Sequence, residues 1–196
     1  MRSESMPKII RELRAQFVAA ARQRLLHTPD HDMTIRQVAE DCHTGVGTVY
    51  NYFPSKEMLI AQVILKDWQD MKLRIAENMG ASEEPIENIQ RIYTELRRFV
   101  TDCLPIWEKH ANVLKSFEMQ THYHPSVIRQ LSEFIQLIID HYSLNVEPKT
   151  DIVLSEIMLS LAKQKEDQFP QIQPVLCRIL GLAWRSAARV SIVSPD

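Results

Sequence analysis

The chain has 196 residues, 45% hydrophobic and 24% charged, enough to bury one sizeable core or a small head with a larger body. Only four glycines occur, no stretch alternates apolar with polar residues long enough for a sheet, and no run nears the ~18 apolar residues of a membrane span. An all-α chain that does not cross a membrane is therefore expected. The net charge of −2 and pI near 6.4 look wrong for a nucleic-acid binder, but charge is unevenly placed. Through residue 56 there are eight Lys and Arg against six Asp and Glu, which leaves 15 against 19 for the rest. Cys42, Cys103 and Cys177 are far apart and form no C-x-x-C pair, and the amino terminus has no apolar signal-peptide core. A reduced, cytoplasmic chain is the simplest expectation.

The first predicted helix runs from about Lys8 to Leu26 with Ile10, Leu13, Phe17 and Ala20 or Ala21 on one face. The second begins at Thr34, whose hydroxyl is placed to cap the next turn while Gln37 reaches back to complete a capping box. Its buried stripe is Ile35, Val38, Ala39 and Cys42, spaced i, i+3, i+4 and i+7. His43-Thr44-Gly45 makes the turn, with Thr44 the expected cap of a third helix that stops at Phe53 before Pro54. Val49 and Phe53 point inward, so Val46, Gly47, Thr48, Tyr50, Asn51 and Tyr52 are offered outward. Gly45 and Gly47 lower intrinsic helicity there by roughly 1 kcal/mol each.

A fourth helix starts at a Ser55 cap and runs to Met79 before Gly80. Punctuation by proline then divides the remainder: Ser82–Pro85 opens a fifth helix to Cys103, Pro105 a sixth to Gln120, and His124-Pro125 a seventh to Tyr142. Thr150 caps an eighth helix, and Pro170 to Pro174 precede a ninth ending near Val190. The expected total is about nine helices.

The string Gly47-Thr48-Val49-Tyr50, Tyr52-Phe53-Pro54-Ser55-Lys56-Glu57 and Leu59 closely resembles the signature of the tetracycline-repressor (TetR) family, over roughly Arg14 to Val63. The resemblance implies a dimeric, all-helical transcriptional regulator. It implies a DNA-binding domain over residues 1–54 with a helix-turn-helix at 34–53, a connecting helix at 55–80, and an effector-binding and dimerisation domain at 81–196. The sequence departs from the family where His43 replaces a common glycine, Thr44 an apolar residue and Gly45 a capping serine.

Thr34, Tyr50, Tyr52 and Lys56 match family positions that commonly touch the DNA backbone, while Val46, Gly47, Thr48 and Asn51 face base edges. Two alternatives stay open: Tyr50 and Tyr52 as packing aromatics, and Thr48 on a phosphate. In the body, Phe99, Cys103, Trp107, His110, Phe117 and Tyr123 are candidates for an effector pocket, against a plain core role for Trp107 and Phe117. His122 and His124 lack the companions that a metal site needs, so no metal and no cofactor is expected.

The last two predicted helices supply Ile157, Leu161, Ile179, Ala183 and Ala187 for a two-fold dimer seam, a placement drawn largely from the resemblance. The implied partners are a double-stranded DNA operator, an unidentified small-molecule effector and a second copy of the chain, with no membrane. A ligand-responsive repressor on a near-palindromic operator is the leading expectation. The alternatives are a helical protein-interaction adaptor and a small-molecule enzyme on the same fold. The sequence has no Ser-His-acid set, phosphate-binding glycine loop or paired carboxylates to favour an enzyme.

Overall fold

The computed structural model describes residues 5–28, 30–114 and 119–183, with the side chains of 5–11, 107, 111–114 and 119–123 outside the description. Among these residues there are eight α-helices and no strand: α1 Ser5–His27, α2 Ile35–Asp41, α3 Val46–Tyr52, α4 Lys56–Glu77, α5 Pro85–Leu114, α6 Met119–His141, α7 Thr150–Ala162 and α8 Phe169–Ile179.

The helix count differs from the expected nine because Pro105 does not open a helix. It lies inside α5, which runs unbroken from Pro85 to Leu114 and so joins the predicted fifth helix to the first part of the predicted sixth. A mid-helix proline forfeits one backbone bond and crowds the preceding carbonyl. Here Leu96, Phe99, Cys103 and Ile106 are buried on both sides of it, so packing holds the helix across the break. Pro125 is likewise inside α6, which starts at Met119 rather than at His124. Pro170 and Pro174 belong to α8 rather than preceding it. Thr150 is not a cap: Lys149 takes that position at φ 69°, and the buried Thr150 hydroxyl donates to the Glu147 carbonyl at 2.7 Å. α4 ends at Glu77, before the predicted Met79, and Gly80 follows at φ 72°.

The residues form two units. One comprises the residues up to Glu77 together with Glu95–Ser126; the other comprises Asn78–Thr94 together with those from Val127 onward. In the first unit α1 lies against α2 and α4, and α2 against α3. Phe17, Ala21, Leu25, Val38, Val49, Phe53 and Leu59 are all but fully buried. Burying each large side chain there contributes about 1.5–3 kcal/mol. Trp68 of α4 meets Phe99 of α5 edge-on, ring centroids 5.2 Å apart, and the Arg74 guanidinium binds Glu95 at 2.6 Å.

In the second unit α7 lies against α8. The Tyr93 ring packs on Phe169 at 5.0 Å and its hydroxyl donates to Asp167 at 3.0 Å. Asn88 donates to the Tyr142 hydroxyl at 2.8 Å, and that hydroxyl donates in turn to the Ser82 carbonyl. A buried polar relay of this kind ties the loop before α5 to the end of α6.

Candidate nucleic-acid interface

The site begins with how α2 is started and stopped. Thr34 Oγ1 accepts from the Gln37 amide at 3.2 Å while Gln37 Oε1 accepts from the Thr34 amide at 2.8 Å, the capping box expected from the sequence. At the other end His43 sits in the left-handed region at φ 52°. The Thr44 amide reaches back to the Ala39 carbonyl at 2.9 Å and the His43 amide to Glu40 at 3.1 Å. That pair of bonds is a Schellman stop, which glycine enters freely and histidine only at a cost.

Gly45, not Thr44, is the residue before α3, and it makes no side-chain cap; the Thr44 hydroxyl is buried without a hydrogen-bond partner. Only Gly47 therefore lies inside the helix, so the expected double glycine penalty on α3 is halved. α3 itself has seven residues and ends at Tyr52.

Rigid contacts fix this helix pair on α1. Arg24 grips Asp41 with two bonds of 2.8 and 2.7 Å. The bond to Arg24 holds the Asp41 carboxyl below its ordinary value and outweighs the opposing effect of burial. The Arg14 guanidinium lies 4.8 Å over the Phe53 ring and donates to Gln62 at 2.9 Å. Buried Val49 and Phe53 anchor α3 from beneath, as the spacing predicts.

Above those anchors, Val46, Gly47, Tyr50 and Asn51 are exposed and Thr48 is half-buried. A methyl group added at Gly47 would meet nothing within 4 Å. Tyr50 is 47% exposed, whereas the half-buried Tyr52 leans its ring edge-on against Phe17 at 5.5 Å. The packing alternative thus fits the ring of Tyr52 better than that of Tyr50. Lys56 is paired with Asp32. Burial pushes the Asp32 carboxyl up, but hydrogen bonds from Lys56 and from the Met33 amide bring it below its usual value, so the pair stays ionic.

The other candidate residues fall in different places. Phe99 and Cys103 line one cavity of about 300 Å³ in the first unit. His110 is not part of its lining; its Nε2 lies 3.2 Å from the His31 carbonyl and 3.8 Å from Asp32. Phe117 lies outside the described residues, as do the side chains of Trp107 and Tyr123. Ile157, Leu161 and Ile179 are half-buried, Ala183 is exposed, and Ala187 lies outside the description. Asp32, Asp41 and Arg24 were missed from sequence. Their only signal is charge within one turn of a helix end, which many solvated residues share.

Comparison with known proteins agrees with this geometry. The family of bacterial regulatory proteins, tetR family, matches residues 17–63, the segment from Phe17 through the helix-turn-helix to Val63. The HTH-type transcriptional regulator UidR of Escherichia coli (strain K12) is 30% identical over 89 residues, 45% of this chain. The chain spans about two-fifths of the length of these curated relatives, 39%. A transcriptional regulator from Cytophaga hutchinsonii superposes with a TM-score of 0.61 at 17% identity, covering 84% of this chain and 93% of the other. RolR in complex with resorcinol gives 0.59 at 19% identity, over 90% and 91%. Thermus thermophilus FadR in complex with lauroyl-CoA gives 0.55 at 16% identity, over 91% and 99%. The amino-terminal segment, residues 17–63, belongs to the tetR family of bacterial regulatory proteins, and the all-helical fold agrees with that family.

Proposed function

We propose that the chain is a DNA-binding transcriptional regulator acting in the cytoplasm, a repressor that binds a near-palindromic operator as a homodimer and releases it when a small molecule binds. The observation that carries the reading is the surface of α3: Val46, Gly47, Tyr50 and Asn51 stand out from a helix whose other side, Val49 and Phe53, is wholly buried. Such a helix is stiffly mounted and has room to sit deep in a major groove. Asn51 has the donor and acceptor to pair with adenine, and Val46 is apolar enough to meet a thymine methyl. Tyr50 and the half-buried Tyr52, Thr34 and Lys56 fit phosphates on the flanks.

Responsiveness to a small molecule is supported by neighbours of the same fold that hold resorcinol and lauroyl-CoA. Dimerisation is supported by apolar residues left exposed on the last helices, Ile152 at 41%, Val153 at 48% and Val175 at 41%. No described helix is long and apolar enough to cross a membrane.

Selection of binding sites from random DNA tests the reading. The chain should enrich a two-fold-related sequence, and Asn51→Ala should relax one position in each half-site at a cost of about 1–3 kcal/mol. Failure to enrich any sequence, with Asn51→Ala indistinguishable from the parent, would refute it.

A further inference from the structure

The cavity walled by α1, α4 and α5 is unlike the apolar pocket expected from the aromatic residues of the sequence. Three arginines, Arg22, Arg74 and Arg98, and three aspartates, Asp67, Asp70 and Asp102, share its lining with Phe99. Formally the wall is neutral. Most of its charge is already matched: Arg22 donates to the buried Asp67 at 2.6 Å, Arg74 to Glu95 at 2.6 Å, and Lys66 holds Asp70. Cys103 adds a thiol donor 3.8 Å from Asp67, kept protonated by burial and by the neighbouring aspartates.

Two charges remain, Arg98 and Asp102, one helical turn apart on α5. Asp102 receives only the long 3.6 Å approach of Arg22, and among the described residues no ion pair involves Arg98. Positions four apart on a helix bring their Cβ atoms within about 5–6 Å, so these two flexible side chains can grip opposite charges carried on a single small molecule. A volume of about 300 Å³ is at the small end for ligand sites. An apolar ligand would strip water from both charges and return nothing. A plain anion would satisfy Arg98 but leave Asp102 facing it, and a plain amine would do the reverse.

We propose that this cavity binds a small zwitterion, an α-amino acid, with its carboxylate on Arg98, its ammonium on Asp102 and its side chain against Phe99. Arg22 belongs to α1, which holds the helix-turn-helix, and its contact with Asp102 ties α1 to α5. An ammonium that takes over Asp102 leaves Arg22 bound to Asp67 alone and loosens that tie. This second step rests on the effector reading above; the binding step does not.

The test is titration of the chain with individual amino acids by calorimetry and by thermal shift. Each is compared with its methyl ester, which keeps the ammonium, and its N-acetyl form, which keeps the carboxylate. At least one amino acid should bind, with either blocked form weaker by about tenfold or more. Arg98→Gln and Asp102→Asn should each weaken binding by a similar factor with unchanged circular dichroism. Blocked forms that bind as tightly as the parent, or no amino acid that produces heat or a shift in melting, would overturn the site. A bound amino acid that leaves operator affinity unchanged would overturn the coupling to α1 while upholding the site.

Discussion

Gly47 is a residue whose identity folding by itself does not favour. It is within α3, nothing crowds the position of its missing side chain, and glycine costs about 1 kcal/mol against alanine in a helix interior. Folding alone would favour alanine. Gly47→Ala should therefore raise thermal stability by an amount equivalent to about 1 kcal/mol. The same substitution should weaken operator binding by roughly tenfold, the cost of one methyl group in a close-packed contact. Stability gained with affinity unchanged would mean that α3 does not enter the groove closely. Lys56 and Asp32 give a second residue-scale prediction, since a phosphate must compete with the Asp32 carboxylate for the ammonium. Lys56→Ala should weaken binding to all DNA sequences alike and flatten the salt slope by about one unit. Asp32→Asn should strengthen non-specific binding, because it frees the cation. Fluorescence anisotropy across a salt series reads both, and the same slope for Lys56→Ala as for the parent would exclude the phosphate contact.

At the scale of elements, the helix pair depends on its attachments to α1 as much as on its own caps. Asp41 closes α2 and accepts two bonds from Arg24, so its folded-state value lies below the ordinary 3.8. A carboxyl lowered in this way stabilises the fold fully above the unfolded value, and the contribution is lost as pH falls through the folded one. Asp41→Asn should lower the melting temperature modestly at neutral pH, and the gap to the parent should close as pH drops below about 4. A gap that persists into acid would show that Asn fails for a reason other than charge. The prolines teach the complementary lesson. Pro105 and Pro125 read as helix starts on local chemistry, yet both lie inside longer helices, and at Pro105 the apolar residues on either side are buried together.

For the whole molecule, assembly into a dimer is the property most open to test. Ile152 and Val175 are both 41% exposed, apolar surface on α7 and α8 that a second copy of the chain would cover. Replacing both with glutamate leaves the buried faces of α7 and α8 untouched. The double variant should sediment as a helical monomer, since unpaired charge in a dry seam is strongly destabilising to association. An intact dimer would rule out this surface.

Much of the helix-turn-helix was legible in the linear chain because its determinants are local: the Thr34–Gln37 box, the His43 turn, and the Val49 and Phe53 anchors each act within a few residues. The all-helical class followed from the periodicity of apolar residues for the same reason. What tertiary structure alone decided is non-local. Lys56 meets Asp32, Arg24 meets Asp41, and Arg22 reaches Asp67 and Asp102 across distances in sequence that no spacing rule records. The polar cavity escaped notice because Arg98 and Asp102 read, singly, as ordinary solvated charges. Only packing α1, α4 and α5 around one space makes them neighbours on the lining of a single cavity.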